Sequence, residues 1–316
     1  MKLRALLFAV LATSSCEAIL DLHDRVLRDA GSDVVVADAA CDGEQCSCGH
    51  AFCDNFDSYK TVQDIQQRWS VPGFQNSILQ LGGTVTLDNS GTIPPPSSPN
   101  ALLTTVSLPI ELQGAGFIMT QVDASTASVA GIHVAFSLRV VGIDPADGAP
   151  PLLDSGAMMF GGILALVDFT SKNGVGIALT EQGGYVGYAL DVLQAGSRLA
   201  QGKQFYFDSP NTLNQLNQYV PIEVYVAKRS AITLPVECTQ GPVLTDVDGD
   251  IPDAALPTDP VVVVVTSAFS QPACEIVGGD LAFPTWLSTP LVVLGSVVKG
   301  QGLFSVEYDN FTLDFL

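Results

Sequence analysis

Period-two alternation of apolar and polar residues dominates the chain from Phe52 onward. In the segment Ile132–Val140 the even-numbered residues are all large and apolar, while the odd-numbered ones include His133, Ser137 and Arg139. Successive side chains of a β-strand point to opposite faces of a sheet, so the pattern predicts strands with one face in a core.

Further segments repeat or modify this pattern. Val220–Val226 alternates in the same way, with Glu223 and Tyr225 on the face opposite the apolar one. Val261–Val265 is an unbroken β-branched run, which is typical of a strand buried on both faces. Gly, Pro, Asn and Asp separate the short runs and helical periodicity is nearly absent, so we expect an all-β, two-sheet antiparallel β-sandwich.

The last strand changes phase. Its large apolar residues share one parity before residue 309 and the other parity after it: Phe304, Val306 and Tyr308, then Phe311, Leu313 and Phe315. A β-bulge near Asp309-Asn310 would place all six on one face.

The first sixteen residues have the layout of an export signal. Lys2 and Arg4 precede an apolar run from Ala5 to Ala12, and small residues lead to Cys16. The apolar run is far shorter than the ~20 residues that a membrane-spanning helix needs. We therefore predict export and no integral membrane domain.

Cys16 is the odd member of seven cysteines. Thr13-Ser14-Ser15-Cys16 resembles the lipobox of bacterial lipoproteins, which implies that Cys16 becomes the diacylated first residue of the mature chain. Thr13 stands where that motif usually has Leu, Val or Ile, so cleavage by the general signal peptidase is the alternative.

The other six cysteines favour disulfides in an oxidising compartment: Cys41, Cys46, Cys48, Cys53, Cys238 and Cys274. The close Cys46-x-Cys48 spacing suits a tetrahedral zinc site badly. Cys238 and Cys274 are expected to pair across a loop, and the connectivity within 41–53 stays open.

These features divide the chain into a signal peptide at 1–15, a lipidated and acidic tether at 16–50, and a sandwich domain at 51–316. An acidic, proline-containing loop is inserted near 239–260.

The formal net charge of the chain is −20. Nucleic acid is excluded as a partner, because phosphate binding needs clustered Lys and Arg.

Three phrases carry a family resemblance: FCDNFD at Phe52–Asp57, SPNALL at 98–103, and VEYDNFTL at Val306–Leu313. They resemble the concanavalin A-like lectin and glucanase superfamily, which includes laminin-G-like domains and has a jelly-roll sandwich. The resemblance implies that the closing strand lies beside the first strand. Together with the cysteine-led acidic tether, the phrases also resemble surface lipoproteins of myxobacteria.

The catalytic motifs of that superfamily are not found in the sequence. Its glucanases use two carboxylates close together on one strand, whereas Glu307-Tyr308-Asp309 is followed by no second Glu. Lyases of similar fold use clustered Arg, Gln, His and Tyr, and no such cluster is visible along the chain. With only three histidines, a zinc-peptidase motif is excluded too. We therefore predict a domain that is not an enzyme.

Sugar-binding sandwiches stack aromatic rings on pyranose faces and hydrogen-bond the hydroxyl groups. The candidate ligand-binding residues are Arg139, Tyr185, Tyr188 and Tyr225. Ordinary packing is the alternative for each of them. Trp69 and Trp286 are predicted in the core, and the Gly161-Gly162 and Gly183-Gly184 pairs are predicted as turns or bulges.

A calcium ion is the one candidate cofactor. The carboxylates of Asp246, Asp248 and Asp250 alternate as in the opening of a calcium loop. Ile251 and Pro257 stand where an EF-hand needs Gly and Glu, so a solvated acidic loop is the alternative reading.

Together these features predict a lipoprotein of the cell envelope, at the outer membrane, that contacts the membrane only through its lipid; a secreted or periplasmic protein is the alternative. Its sandwich is expected to bind carbohydrate or a surface protein. A polysaccharide-degrading enzyme with an unrecognised site and a structural envelope component are the alternatives.

Overall fold

The computed structural model describes residues 49–316 except for 75, 91–92, 98, 125–127, 145–158, 169–173, 183–184, 195–196, 202–204, 207–217, 236–237, 239–257, 268–269 and 277–286. The predicted signal, tether, acidic loop and Trp286 therefore lie outside the described residues, as do Cys16, Cys41, Cys46 and Cys48. The predictions made for these parts of the chain stay predictions.

The described residues form fourteen strands and two short 3-10 helices. The strands are β1 (Phe52–Asp54), β2 (Ile78–Leu81), β3 (Gly83–Asp88), β4 (Ala101–Gln121), β5 (Gly131–Asp144), β6 (Met159–Val167), β7 (Gly174–Gln182), β8 (Tyr185–Gln194), β9 (Ser197–Gln201), β10 (Phe205–Tyr206), β11 (Val220–Lys228), β12 (Val261–Ser267), β13 (Ser270–Ile276) and β14 (Leu291–Phe315). The 3-10 helices are Val62–Gln67 and Arg229–Ala231. Within this part of the chain, no helix is long and apolar enough to cross a bilayer.

All the strand ladders are antiparallel, and they build two sheets. Sheet I contains β10 and β9, then β8, β7, β6, the first part of β14, the second part of β4, and β2. Sheet II contains β13, β12, β11, β5, the second part of β14, the first part of β4, and β3, with β1 paired to the end of β14. The prediction of a two-sheet antiparallel sandwich is confirmed.

The long strands β4 and β14 belong to both sheets because they bend side by side. Their register shifts between Gly300 and Gly302, which pair with Leu112 and Leu108 respectively. Gly302 has a φ of 134°, a conformation that side-chain-bearing residues rarely adopt. Its lack of a Cβ thus lets β14 turn from one sheet to the other.

The main core lies between the two sheets and is formed by the side chains on their inner faces. It contains the alternating apolar residues predicted for β5 and β11, such as Phe136 and Val224. Val261–Val265 is buried throughout, as its β-branched run predicted. Trp69 is fully buried in this core, which confirms its prediction.

The predicted bulge in the last strand is present. The register of β14 against β5 shifts between Asp309 and Thr312, and Asn310 has a φ of 51°. This shift places Phe304, Val306 and Tyr308 in the same core as Phe311 and Leu313. β1 pairs with β14 through Phe52 and Leu313, so the first and last strands are neighbours, as the resemblance implied.

A smaller cluster on the outer face of sheet II surrounds a disulfide. Cys238 and Cys274 are bonded, as predicted, and they pack with Val262 and Val264. Tyr225 and the segment after Arg229 lie against this cluster, so one side of the outer face is covered. Cys53 is also disulfide-bonded.

Candidate functional site

The three phrases that carry the family resemblance contain polar residues that hold segments of the fold together. The buried carboxylate of Asp54 accepts hydrogen bonds from the Phe56 backbone N–H at 2.8 Å, the Tyr59 hydroxyl at 2.5 Å and the Trp69 Nε1 at 2.8 Å. Its burial raises the pKa of this carboxyl above the ordinary value. Asp54 therefore ties the opening strand to the segment that carries the 3-10 helix Val62–Gln67.

Hydrogen bonds also join the third phrase to Ser97, just before the second phrase, and join the second phrase to the segment that begins with the first. Asp309 accepts hydrogen bonds from both the backbone N–H and the hydroxyl of Ser97, each at 2.7 Å. The backbone N–H of Asn100 donates to the Asp57 carboxylate at 3.0 Å, and its side-chain amide donates to the Tyr59 carbonyl. These polar residues fix the fold, which explains why the phrases indicate the architecture and not a ligand.

The outer face of sheet II carries a cluster of interacting polar side chains, which we call the ion cluster: Asp88, Arg139, Tyr219 and Glu307. Arg139 on β5 and Glu307 on β14 are register partners, and the Arg139 Nη1 donates to Glu307 Oε2 at 2.8 Å. The Tyr219 hydroxyl donates to the same oxygen at 2.9 Å. The side chains of Arg139 and Glu307 are 9% and 1% exposed, so this ion pair is almost completely withdrawn from water.

Burial raises the pKa of the Glu307 carboxyl to about 7, and its hydrogen bond with Asp88 adds to the rise. The same hydrogen bond holds the pKa of Asp88 below its ordinary value. Near neutral pH the two carboxyl groups therefore share a proton, with Asp88 as the ionised partner. A carboxyl group that titrates near neutrality beside a tyrosine and an arginine has the protonation behaviour of a general acid or base.

The raised pKa of Glu307 makes stability depend on pH. Because the folded-state pKa lies above the unfolded value, this group contributes its full stabilisation below about pH 4.5 and loses it as the pH rises to about 7. The whole effect is at most about 3 kcal/mol, because solvent screening reduces it. Chemical denaturation of the wild type should show a free energy of unfolding that declines between pH 5 and pH 8. We expect Glu307→Gln to abolish the part of this decline that Glu307 causes. Glu223→Gln, at an exposed carboxylate, should keep the wild-type profile; an unchanged Glu307→Gln profile would contradict the assignment.

A second group on the same outer face, which we call the ring pair, consists of His133 and Tyr225 with the neighbouring Glu223. The two rings stack with centroids 4.2 Å apart and an interplanar angle of 11°. The Tyr225 hydroxyl donates to the Glu223 carboxylate at 2.9 Å. Burial, followed by this contact, raises the pKa of Tyr225 to about 12, so the phenol stays protonated. The Glu223 side chain is 49% exposed and can accept further hydrogen bonds.

Between these two groups the outer face of sheet II is lined by small side chains. Ala135 and Ser137 on β5 are half-buried, and Pro221, opposite Ser137 on β11, is exposed. His133 and Arg139 are six residues apart on β5, which corresponds to about 20 Å along a strand. We call this strip the polar trough: a floor of small residues with the ion cluster at one end and the ring pair at the other.

Two walls flank the polar trough. On the β14 side, the Ser97 loop is held over the sheet by its two hydrogen bonds to Asp309, the register partner of Ser137. On the β12 side, the disulfide cluster and the segment after Arg229 pack against Tyr225. The trough therefore runs along β5 and β11.

A cleft lies away from the trough, between the 3-10 helix Val62–Gln67 and β2. It has a volume of about 380 Å³, and amide side chains of Gln63, Gln66 and Asn76 line it. The Gln66 amide donates to Asn76 at 2.6 Å. We call it the amide cleft.

The structure places the predicted binding residues in different regions. Arg139 and Tyr225 lie at opposite ends of the polar trough, on the outer face that the alternation predicted. Tyr185 and Tyr188 belong to β8 in sheet I, and their side chains lie outside the described part of the structure.

The glycine pair Gly161-Gly162 was predicted as a turn or bulge. Gly162 adjoins a register shift between β6 and β7, so a bulge is present there.

Asp88 and Tyr219 were not recognised from the sequence, and Glu307 was interpreted only as part of an incomplete glucanase motif. The alternation places Glu307 and Arg139 on non-core faces, and this is the one sequence signal that could have found them. Their pairing depends on the register between strands about 170 residues apart. The ion cluster is thus assembled from segments that are distant in the chain, and it contains Arg and Tyr but neither Gln nor His.

The described residues contain no group of three or more His, Cys, Asp or Glu side chains arranged to hold a metal ion. The calcium candidates Asp246, Asp248 and Asp250 lie beyond the described ranges. Calcium binding by these residues stays a prediction.

Comparison with known proteins finds likeness only at the level of structure. No protein-family model matches the chain, and no curated protein matches it. An alginate lyase of family PL-14 from Aplysia kurodai is similar over 73% of this chain and 87% of its own, with 12% identity and a TM-score of 0.40. An alginate lyase from Klebsiella pneumoniae is similar over 74% and 84%, with 7% identity and a TM-score of 0.38.

A lectin, UEA-II in complex with galactose, is similar over 76% of this chain and 93% of its own, with 12% identity and a TM-score of 0.35. The neighbours are thus β-sandwich folds of lectins and of enzymes that act on polysaccharides. Likeness at this level carries no argument about activity, so a function for this chain has to be inferred from its own residues.

Proposed function

We propose that this chain is a carbohydrate-binding sandwich whose polar trough holds a glycan. The observation that carries the proposal is the strip of small residues on β5 and β11, bounded by the ion cluster and the ring pair. An extended chain of sugar residues needs an elongated surface with hydrogen-bonding groups along it. The trough is about 20 Å long and offers such groups at both ends.

The ring pair is the part of the trough best suited to contact a sugar. The exposed carboxylate of Glu223 can accept hydrogen bonds from two adjacent hydroxyl groups. The edges of the stacked rings of His133 and Tyr225 lie beside it and provide apolar area. The buried ion cluster fixes the other end and keeps β5 and β14 in register.

Filling the floor of the trough should block binding. We expect Ser137→Trp to weaken glycan affinity at least tenfold, because an indole on the floor occupies the space that the ligand needs. Isothermal titration against a panel of soluble polysaccharides measures this. The matched control is Leu81→Trp, at an exposed position of β2 away from the trough, which should bind like the wild type. Equal loss in both variants, or in neither, would contradict the proposed location.

A polysaccharide-degrading enzyme is the second candidate, and the ion cluster favours it. The Glu307 carboxyl has a pKa of about 7 and accepts a hydrogen bond from Tyr219, which resembles an acid–base pair. Against it, both Glu307 and Arg139 are buried and paired with each other. Release of reducing ends, or of ultraviolet-absorbing unsaturated products, that is lost in Glu307→Gln would favour the enzyme over the binding domain.

We further propose that the chain is exported and anchored in the cell envelope through lipid on Cys16, as in the surface lipoproteins that its tether resembles. The support is the basic start, the apolar run and the lipobox-like segment before Cys16. Mass spectrometry of the mature N-terminus should find a diacylated Cys16. An unmodified terminus at another residue would contradict the anchor while leaving export intact.

A further inference from the structure

We propose that the polar trough selects neutral, hydroxyl-rich glycans and rejects polysaccharides that carry uronate or sulfate groups. This inference rests on the proposed function, because it specifies the ligand class of the same site. It is carried by the charges that face the trough and by the partners that these charges already have.

The arginine at the trough is already neutralised. The Arg139 guanidinium donates to Glu307 at 2.8 Å, and Asp88 also interacts with it electrostatically. A single cation thus faces two carboxyl groups that share a proton. The Arg139 side chain is 9% exposed, so a ligand carboxylate would have to displace its buried partner Glu307 to reach the guanidinium.

Carboxylates dominate the rest of the trough. Glu223 projects from β11 beside the floor, and Asp314 lies on β14 opposite His133. Asp314 accepts a hydrogen bond from His50 at 2.7 Å. An anionic sugar residue placed over Ala135 would therefore lie beside the Glu223 carboxylate on β11, with Asp314 two residues beyond Thr312, the partner of Ala135 on β14.

The remaining cations near the trough also have carboxylates in their neighbourhood. Lys228 ends β11 and interacts electrostatically with Asp259, whose pKa it helps to lower. Arg229 lines a small cleft together with Glu275 beside the disulfide. Within the part of the chain that the structure describes, no cation at the trough is left without a carboxylate nearby, and the net charge of the whole chain is −20. The resulting potential opposes the approach of an anionic polymer.

Neutral sugars meet none of these obstacles. A hydroxyl group can donate to the free lone pairs of Glu223, and a charge-assisted hydrogen bond of this kind is stronger than one between neutral groups. The uncharged floor of Ala135, Ser137 and Pro221 requires no counter-charge from the ligand. The charges that repel a uronate therefore favour a polyol.

Binding to neutral and anionic polymers provides the test. We would titrate the full mature chain with a neutral β-glucan, a galactan and a mannan, and separately with alginate and polygalacturonate, at low and high salt. The variants are Ser137→Trp, Ala135→Trp and Glu223→Lys, with the melting temperature of each as a check on folding.

We expect a neutral polymer to bind the wild type at least tenfold more tightly than either uronate polymer, and both Trp variants to lose this binding. Glu223→Lys should raise uronate affinity at low salt, because it replaces a repelling charge with an attracting one, and high salt should reduce the gain. Uronate binding as tight as neutral binding, and lost in the Trp variants, would overturn the selectivity while leaving the trough as the glycan site. Absence of binding to both classes, or binding unaffected in both folded Trp variants, would overturn the proposed function itself.

Discussion

Removal of Phe304–Leu316 is expected to abolish the cooperative unfolding transition of the domain. This segment is the second part of β14, and it pairs with β4 and β1 on one side and with β5 on the other. Its loss would leave the edges of β4 and β5 unpaired in the middle of sheet II and would open the core to water. Circular dichroism and calorimetry measure whether a cooperative transition remains.

The size of the effect follows from the burial of five large side chains that are at most 1% exposed: Phe304, Val306, Tyr308, Phe311 and Leu313. At about 1.5 to 3 kcal/mol each, they contribute roughly 7 to 15 kcal/mol, as much as the whole stability of a typical domain. Deletion of Glu17–Ser32, a segment predicted to be tether, is the control and should leave the transition unchanged. A cooperative melt after the C-terminal deletion would contradict this arrangement of β14.

The second large effect is expected at Asp54. Asp54→Ala removes the acceptor of three hydrogen bonds and leaves the Phe56 N–H, the Tyr59 hydroxyl and the Trp69 indole N–H without it. An unsatisfied buried donor costs about 1 to 3 kcal/mol, so the free energy of unfolding should fall by at least about 3 kcal/mol. Urea denaturation measures the difference.

Asp314→Ala is the matched control, because it removes an aspartate whose bond to His50 lies near the surface. The side chains of His50 and Asp314 are 38% and 30% exposed. A pair of this kind contributes about 1 kcal/mol or less. Equal destabilisation by the two substitutions would show that the Asp54 network has no special structural role.

Local patterns in the sequence predict the elements of this fold well, since they report short-range constraints. Alternation identifies β5 and β11, because each strand has one face in the core and one outside it. The phase change around Asp309 identifies the bulge in β14. The two late cysteines identify the disulfide, since Cys238 and Cys274 remain as a pair once the N-terminal cysteine cluster is set apart.

The candidate site is much less predictable, because it depends on register between distant strands. Arg139 and Tyr225 stand out as polar or aromatic residues on non-core faces. Nothing local indicates that Asp88 and Tyr219 join Glu307, or that His133 stacks on Tyr225. A shift of one residue in the pairing of β5 with β14 would place Arg139 opposite a core residue.

The most conspicuous motifs proved to have a structural role. The carboxylates of Asp54, Asp57 and Asp309 are occupied by hydrogen bonds from nearby segments of the domain. The resemblance therefore predicted the architecture correctly from residues that hold it together. Of the side chains in the proposed trough, only Glu307 belongs to one of these motifs, whereas His133, Glu223 and Tyr225 lie outside them.

The most direct test of glycan binding in the polar trough is a crystal structure of the mature chain with a neutral oligosaccharide that binds it. We expect the sugar to lie along β5 and β11 over Ala135 and Ser137, with a hydroxyl group hydrogen-bonded to the Glu223 carboxylate. Electron density for the sugar in the amide cleft of Gln63, Gln66 and Asn76, or on sheet I, with the trough empty, would contradict it.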